Sequence, residues 1–349
     1  MHDTMKRWTR RAALGIAAGA VSFGLAAGAY AQEVTLKLHQ FLPAQANVPK
    51  LVLDVWADKV EADSGGRIKV ERYAAMALGG KPPELMDQAK DGVVDIVWTV
   101  VGYTPGRFPR TEVFELPFIM TNAEAVSRAY WELFQSDMKD TEFADLHILG
   151  TWVHGPGIFH TRTPVKSIDD LKGMKIRGGS RTVNALLERL GATPVGMPVT
   201  AIPEGLSKGV IDGTTIPWEV TTALKVPELV KNHTEFEGKA LYVLTFVLAM
   251  NKAKYESLPD DLKKVIDDNS GMEFSAFAGM TQAGADGPAR EAAVAAGNTI
   301  VTLPPEEVAK WREVAQPIYD EWTADMDSKG IDGKALLARA QDLINKHTK

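Results

Sequence analysis

The stretch from Leu171 to Val220 restricts the fold of this chain more than any other part. Met174-Lys175-Ile176-Arg177 alternates with the period of a strand, and Gly178-Gly179 interrupts it. Ser180 offers a side-chain oxygen as a helix cap. Val183, Leu186, Leu187 and Leu190 follow at the i, i+3, i+4, i+7 spacing of one helix face. Gly191 supplies the left-handed residue that ends such a helix. A second short helix, with Pro203 in its first turn and Gly209 after its last, leads to a strand from Val210 to Ile216. Strand, helix, helix, strand is the pattern of an α/β sheet with crossover helices. Arg177 stands where the first strand gives way to its loop, the position at which open α/β sheets hold small ligands.

The rest of the chain repeats this alternation. Glu33 to His39 reads as a first strand, and Asn47 to Ala62 as an amphipathic helix with Pro49 in its first turn and Gly65-Gly66 beyond its end. Arg67 to Tyr73 is a second strand, Pro82-Pro83 start a helix that ends at Gly92, and Val93 to Thr99 is apolar on both sides like a buried parallel strand. That order requires right-handed crossovers and a parallel sheet. Asn122 caps a helix through Phe134, His147 to Val153 is a strand, and the apolar run from Lys239 to Met250 is a strand returning to the first lobe. Beyond Leu258 the chain reads as helical, with one helix from about Asp260 to Ala296 and another from Trp311 to Met326. Pro288 should kink or break the former.

A length of 349 residues suffices for two lobes with separate cores. The expected fold class is therefore α/β: two lobes, each a mostly parallel sheet flanked by helices, with a long C-terminal helical region spanning both. The chain crosses between them more than once, which gives residues 33–154 and 243–282 to lobe 1 and residues 155–242 and 283–349 to lobe 2.

Residues 1–31 are excluded from the fold. Lys6, Arg7, Arg10 and Arg11 form a basic start, Ala12 to Ala29 is small and apolar, and Ala29-Tyr30-Ala31 is a cleavage signature. Thr9-Arg10-Arg11 is compatible with twin-arginine export as well as with the general secretory route. Removing four basic residues and one acid leaves 35 basic against 44 acidic side chains, a net charge of −9. Neither nucleic acid nor an anionic membrane surface is an expected partner of such a chain. Cysteine is absent, which excludes disulfides, thiolate nucleophiles and thiolate metal sites. The sequence has no G-x-S-x-G elbow, phosphate-binding loop, complete G-x-G-x-x-G or H-E-x-x-H. No metal or cofactor is expected, and the chain does not read as an enzyme.

Several segments carry a resemblance. They are Asp170 to Arg177, Leu190-Gly191-Ala192 with Pro194, Gly209 to Gly213 with Pro217, Leu78-Gly79-Gly80, Asp91 to Ile96, and Glu115-Leu116-Pro117-Phe118. Together they make the mature chain resemble the extracytoplasmic solute-binding subunits of tripartite ATP-independent periplasmic (TRAP) transporters, the dicarboxylate-binding-protein family. The resemblance implies a periplasmic, two-lobed, monomeric receptor that passes a small organic anion to a membrane permease. It also implies that Arg177, ending the "KGxKIR" strand, grips a ligand carboxylate. A guanidinium suits that role because its planar fork matches a carboxylate in two parallel hydrogen bonds.

One departure is informative. Many members of that family carry an asparagine before the proline at 217, whereas here the residue is Ile216, with Trp218 following. Either both residues wall a pocket that has exchanged a polar contact for apolar area, or both belong to the core. Glu219 reads as a hinge or surface charge, since a carboxylate beside the site would repel an anion. Phe41, Trp98 and Tyr103 end strands at the cleft edge and could stack on a planar ligand or fill the core. His154 and His160 lack metal-ligand spacing, so one of them either bonds the ligand or is structural. Arg162 is near the place where the family often has a second arginine. The favoured ligand is a monocarboxylate with an apolar or aromatic body; a sugar acid or C4-dicarboxylate is the alternative, and an enzyme or sensor receptor on the same architecture comes after these.

Overall fold

The computed structural model describes residues 32–238 and 240–348, so the expected signal peptide, residues 1–31, lies outside the described residues. Eleven strands occur in these residues: β1 Val34–His39, β2 Ile68–Tyr73, β3 Ile96–Val100, β4 Leu146–Val153, β5 Ile158–Thr161, β6 Lys175–Gly178, β7 Thr193–Gly196, β8 Gly213–Ile216, β9 Asn232–Phe236, β10 Thr245–Asn251 and β11 Thr299–Leu303. They form two sheets, ordered β2-β1-β3-β10-β4 and β11-β9-β5-β8-β6-β7, with helices packed on both. Among the described residues no helix is long and apolar enough to cross a membrane.

Both sheets are mostly parallel, as expected, and one antiparallel strand makes each of them mixed. In the first, β1 pairs in parallel with β2 and β3, but β10 runs antiparallel to β3 and β4. In the second, β5 runs antiparallel to β8 and β9 within otherwise parallel pairs. The two exceptions share a cause. Each is the first strand after the chain changes lobes, so it enters its sheet without the crossover helix that parallel neighbours require. The apolar run at Lys239 to Met250 divides here: β10 begins only at Thr245, and Tyr242 and Leu244 belong to the connection between the lobes. That connection lies beside the other one, residues 154–157. Gly157 N–H donates to the Tyr242 carbonyl at 3.0 Å, and Leu244 N–H donates to His154 Nε2 at 3.0 Å.

The helix expected from Asp260 to Ala296 is three helices, Asp260–Asp268, Met272–Gly284 and Asp286–Ala295. Gly271, at φ 88°, makes the first break. Pro288 makes the second, because it has no N–H to offer and its ring displaces the carbonyl of Gly284, so the ladder stops at Ala285. Pro317 likewise separates helix Pro305–Ala315 from helix Pro317–Ser328. The break at Ala285 falls where the chain changes lobes. Helix Met272–Gly284 packs on β4 and on helix Ala123–Leu133, whereas Asp286–Ala295 packs against the turn Trp218–Val220. The final helix, Gly333–His347, does not accompany the second lobe as expected for residues 283–349. It packs on helix Ala123–Leu133 of the first, where Lys346 Nζ meets the Glu132 carboxylate at 2.8 and 2.9 Å and Arg339 meets Asp137 at 2.6 Å.

Two glycines in helix Met272–Gly284 test this packing in opposite directions. A Cβ on Gly279 would sit 2.2 Å from Ser127 Oγ and 2.9 Å from the Ala123 carbonyl, whereas one on Gly284 meets nothing within 4 Å. Gly279→Ala should lower the free energy of urea unfolding by about 1–3 kcal/mol. Gly284→Ala should leave it unchanged or raise it by up to about 1 kcal/mol.

Candidate functional site

The strand ends of both sheets and the two connections between lobes meet around one small cavity of about 30 Å³. Its wall includes Phe41, Trp98, Tyr103, Arg177, Ile216 and Tyr242, all of them buried.

Arg177 is the penultimate residue of β6 and is fully buried, with 0 % of its surface exposed. Its Nε–H donates to the Met197 carbonyl at 2.9 Å and its Nη1 to the Thr215 carbonyl at 3.3 Å. Nη2 has no hydrogen-bond partner in the protein, and no carboxylate pairs with the group among the described residues. Two carbonyl dipoles orient the guanidinium without neutralising it, and a buried charge left in that state costs several kcal/mol. Gly179 makes the placement possible. A Cβ there would lie 3.2 Å from both Nη1 and Nη2 and 2.6 Å from a methyl of Leu244, so a side chain would crowd the guanidinium and displace Leu244.

The phenols of Tyr103 and Tyr242 lie close enough to feel this charge, yet burial outweighs it and pushes both above the usual tyrosine range. Both therefore remain donors at neutral pH. The Tyr103 hydroxyl accepts the Val199 N–H at 2.9 Å across the cleft, and the Tyr242 hydroxyl has no partner in the protein.

The apolar side of the cavity is a slab of rings. Trp98 stacks on Phe41 (centroids 4.5 Å apart, planes 20° apart) and on Phe246 (5.6 Å, 18°), with Trp152 parallel behind it at 6.4 Å. Tyr103 meets Phe41 edge-on at 5.9 Å.

Not every expected residue joins the site as foreseen. Trp218 lies outside the cavity wall: it packs with Ile158, Ala289 and Ala293 and donates its indole N–H to Glu235 at 2.7 Å. A helical turn begins at Trp218, which swings its side chain away from the face that Ile216 presents. His154 reaches the wall with both ring nitrogens engaged by backbone, Nδ1 with the Gly155 carbonyl and Nε2 as acceptor from Leu244 N–H. Burial holds this imidazole at about 4, so it is neutral at physiological pH. It ties the two connections together and has no nitrogen left for a ligand. His160 is buried elsewhere, 2.7 Å from His233, and Arg162 bonds the Leu206 carbonyl.

Glu219 is the opposite case. Expected at a hinge or surface, it is 2 % exposed and lines the cavity. Desolvation pushes its carboxyl up to about 8, so it is protonated at neutral pH and repels no anion. Tyr242, Leu244 and Gln282 also reach the cavity, and sequence reasoning missed them. The first two lie in the apolar run read as strand, whose break before Thr245 has no local signal. Gln282 sits in a helix, where nothing in its neighbourhood marks the face turned to the cleft.

The contacts that close the lobes over this space include Tyr103 on Val199, Asn47 Nδ2 on the Glu219 carbonyl at 2.8 Å, Gln282 Nε2 on Glu219 Oε1 at 2.7 Å, and Arg181 on Glu112. In the last, Nε and Nη2 meet the two carboxylate oxygens at 2.5 and 2.6 Å, the two-pronged geometry that suits arginine.

Comparison with known proteins agrees with this geometry. Residues 40–325 match the model of the bacterial extracellular solute-binding protein family 7. The chain is 54% identical to a TRAP solute-binding protein from Rhodoferax ferrireducens T118 whose crystal structure contains copurified benzoate; the match covers 90% of this chain and 98% of that one, with a TM-score of 0.88. A marine metagenome TRAP solute-binding protein specific for aromatic acid ligands, crystallised with 3-hydroxybenzoate, is 48% identical over 91% of this chain and 100% of its own, with a TM-score of 0.89. The periplasmic C4-dicarboxylate-binding protein of Rhodobacter capsulatus is 26% identical over 90% of this chain and 94% of its own. A buried arginine at a strand end, between two lobes of this topology, is thus found in a chain that belongs to the bacterial extracellular solute-binding protein family 7, the family of TRAP transporter solute receptors.

Proposed function

We propose that this protein captures a small aromatic monocarboxylate in the periplasm and delivers it to a TRAP permease. Export by the cleaved signal at residues 1–31 would place it there. The observation that carries the reading is the fully buried, unneutralised Arg177 in a cavity otherwise walled by rings. The ligand carboxylate would accept from Nη2 of Arg177 and from the Tyr242 hydroxyl, and its ring would lie against the slab formed by Phe41, Trp98 and Phe246. Ile216 fills the position where other members have an amide, and so trades a polar contact for apolar area.

Receptor action follows from the same charge. In the open form water solvates the guanidinium, and closing without an anion would strand it at a cost of several kcal/mol. A bound carboxylate removes that cost, so the closed form is favoured when ligand is present. A C4-dicarboxylate suits the cavity less well, because Arg177 is the one cation in its wall and a second carboxylate would have no counter-charge. Polyhydroxylated acids fare worse still against a slab of rings, which offers their hydroxyls no partners.

Calorimetric titration and thermal shift with benzoate, succinate and a sugar acid test the reading, since stabilisation grows as RT ln(1 + [L]/Kd). Benzoate should give the largest shift. Arg177→Ala should weaken it by roughly 2–5 kcal/mol, that is between about 30-fold and several thousand-fold in Kd. Arg177→Lys should retain part of the affinity without the two-point geometry. Undiminished benzoate binding by Arg177→Ala would sink the proposal.

Affinity should also depend on pH. From pH 6 to 9 His154, held at about 4, stays neutral, and burial keeps Tyr103 and Tyr242 protonated. The groups that change are Glu219, pushed up to about 8, Asp286 behind it, pushed up to about 7, and Glu115, pushed up to about 7 within reach of Tyr242, each by desolvation. Each gains a negative charge as pH rises, so anion affinity should fall by roughly 10-fold or more between pH 7 and 9. Glu219→Gln should blunt that fall, and a wild-type affinity that stays flat to pH 9 would contradict it.

A further inference from the structure

Arg177 and Glu219 are the two polar landmarks of a cavity that is otherwise largely apolar, and they do not touch. Arg177 is surrounded by Met197, Thr215 and the two phenols, whereas Glu219 belongs to a separate hydrogen-bonded set. The Trp152 indole N–H donates to Gln282 Oε1 at 2.9 Å. An indole nitrogen can only donate, so the Gln282 oxygen must face it and the Gln282 amide nitrogen must face Glu219. That nitrogen donates to Glu219 Oε1 at 2.7 Å. The Glu219 main chain is fixed as well: its N–H donates to Asp286 Oδ1 at 2.8 Å, and its carbonyl accepts from Asn47 Nδ2 at 2.8 Å. The second carboxyl oxygen, Oε2, is buried and has no hydrogen-bond partner among the described residues.

A residue held at three points, two on its main chain and one on its carboxyl, with the other carboxyl oxygen unpaired and the side chain at the wall of a ligand cavity, is arranged for a polar group on the ligand. The candidates differ in charge. An ammonium would need Glu219 ionised, against its burial and against the Asp286 carboxyl beside it. A second carboxylate would be repelled as soon as Glu219 loses its proton. A hydroxyl can accept from the protonated oxygen or donate to the ionised one, and so fits either form. Resting on the reading that the cavity takes an aromatic monocarboxylate, we propose that Glu219 Oε2 is a specificity determinant that recognises a hydroxyl group on the ligand ring, away from the carboxylate held by Arg177. The preferred ligands are then hydroxylated aromatic acids. The unsubstituted acid binds through the same arginine but leaves Oε2 without a partner, and an unpaired buried polar atom weakens binding.

The test is a matrix of dissociation constants on the mature chain. Benzoate, the three monohydroxybenzoates and the corresponding methoxybenzoates are titrated against wild type, Glu219→Gln and Glu219→Leu. At the ring position that reaches Glu219, wild type should prefer the hydroxy acid to benzoate by on the order of 10-fold, and the methoxy analogue should lose that gain. In Glu219→Gln the amide oxygen accepts from Gln282, so the amide nitrogen takes the free position and donates to the ligand hydroxyl, and the preference should be kept. Glu219→Leu should abolish it, so that benzoate and the hydroxy acid bind this variant alike. Persistence of the preference in Glu219→Leu overturns the assignment. So does a wild type that binds benzoate through Arg177 but favours no hydroxy isomer, and this outcome leaves the aromatic-acid reading intact. A wild type that binds none of these acids sinks the underlying reading instead. Should Glu219→Leu fail to fold, the hydroxy-against-methoxy comparison on wild type decides the matter alone.

Discussion

A positive charge with no counter-charge is the constraint on which this molecule turns. Arg177 is fully buried, anchored by two backbone carbonyls, and left with one terminal nitrogen unbonded. Such a group destabilises any closed arrangement that lacks an anion. The surroundings serve that arrangement. Gly179 clears the space beside the guanidinium, Tyr103 and Tyr242 keep their protons within its field, and the connections between lobes lie against each other through His154. The closing contacts are hydrogen bonds and one two-pronged ion pair at the rim. Contacts of that kind can be broken and remade far more readily than an apolar core, as a receptor that opens and shuts requires.

Ionisable groups inside the cleft divide by what burial does to them. Desolvation favours the neutral form of each, and so depresses His154 and raises Glu219 and the tyrosines. The cation of the cavity wall among the described residues is the guanidinium of Arg177, whose planar fork matches a carboxylate. A carboxylate near an anion site looks self-defeating in a sequence. In the folded protein it is a neutral hydrogen-bonding group, and that difference turns Glu219 from an obstacle into a recognition element.

Much of the architecture was legible before any coordinates. Ser180 accepts from Val183 N–H and caps its helix, and Asn122 does the same from Ala125 N–H, because each side chain has a single local partner that geometry brings within reach. The effect of Pro288 was readable for a similar reason: a missing N–H and a ring in the way break a helix whatever surrounds it. Reading failed where the partner is distant. The direction of β5 and β10 depends on how the chain enters each sheet from the other lobe, and the docking of helix Gly333–His347 on helix Ala123–Leu133 depends on a charge pattern spread over the whole chain.

The sequence by itself determined the α/β class, the strand that carries Arg177 and its position at a strand end, since these follow from periodicity, caps and breakers acting over a few residues. Tertiary structure decided which side chains face the cavity. Ile216 turns inward and Trp218, two residues on, turns outward, because a helical turn begins between them. Tyr242 and Gln282 arrive from opposite sides of a lobe crossing. Whether Glu219 is charged depends on its burial, and burial belongs to the assembled fold and not to the residue.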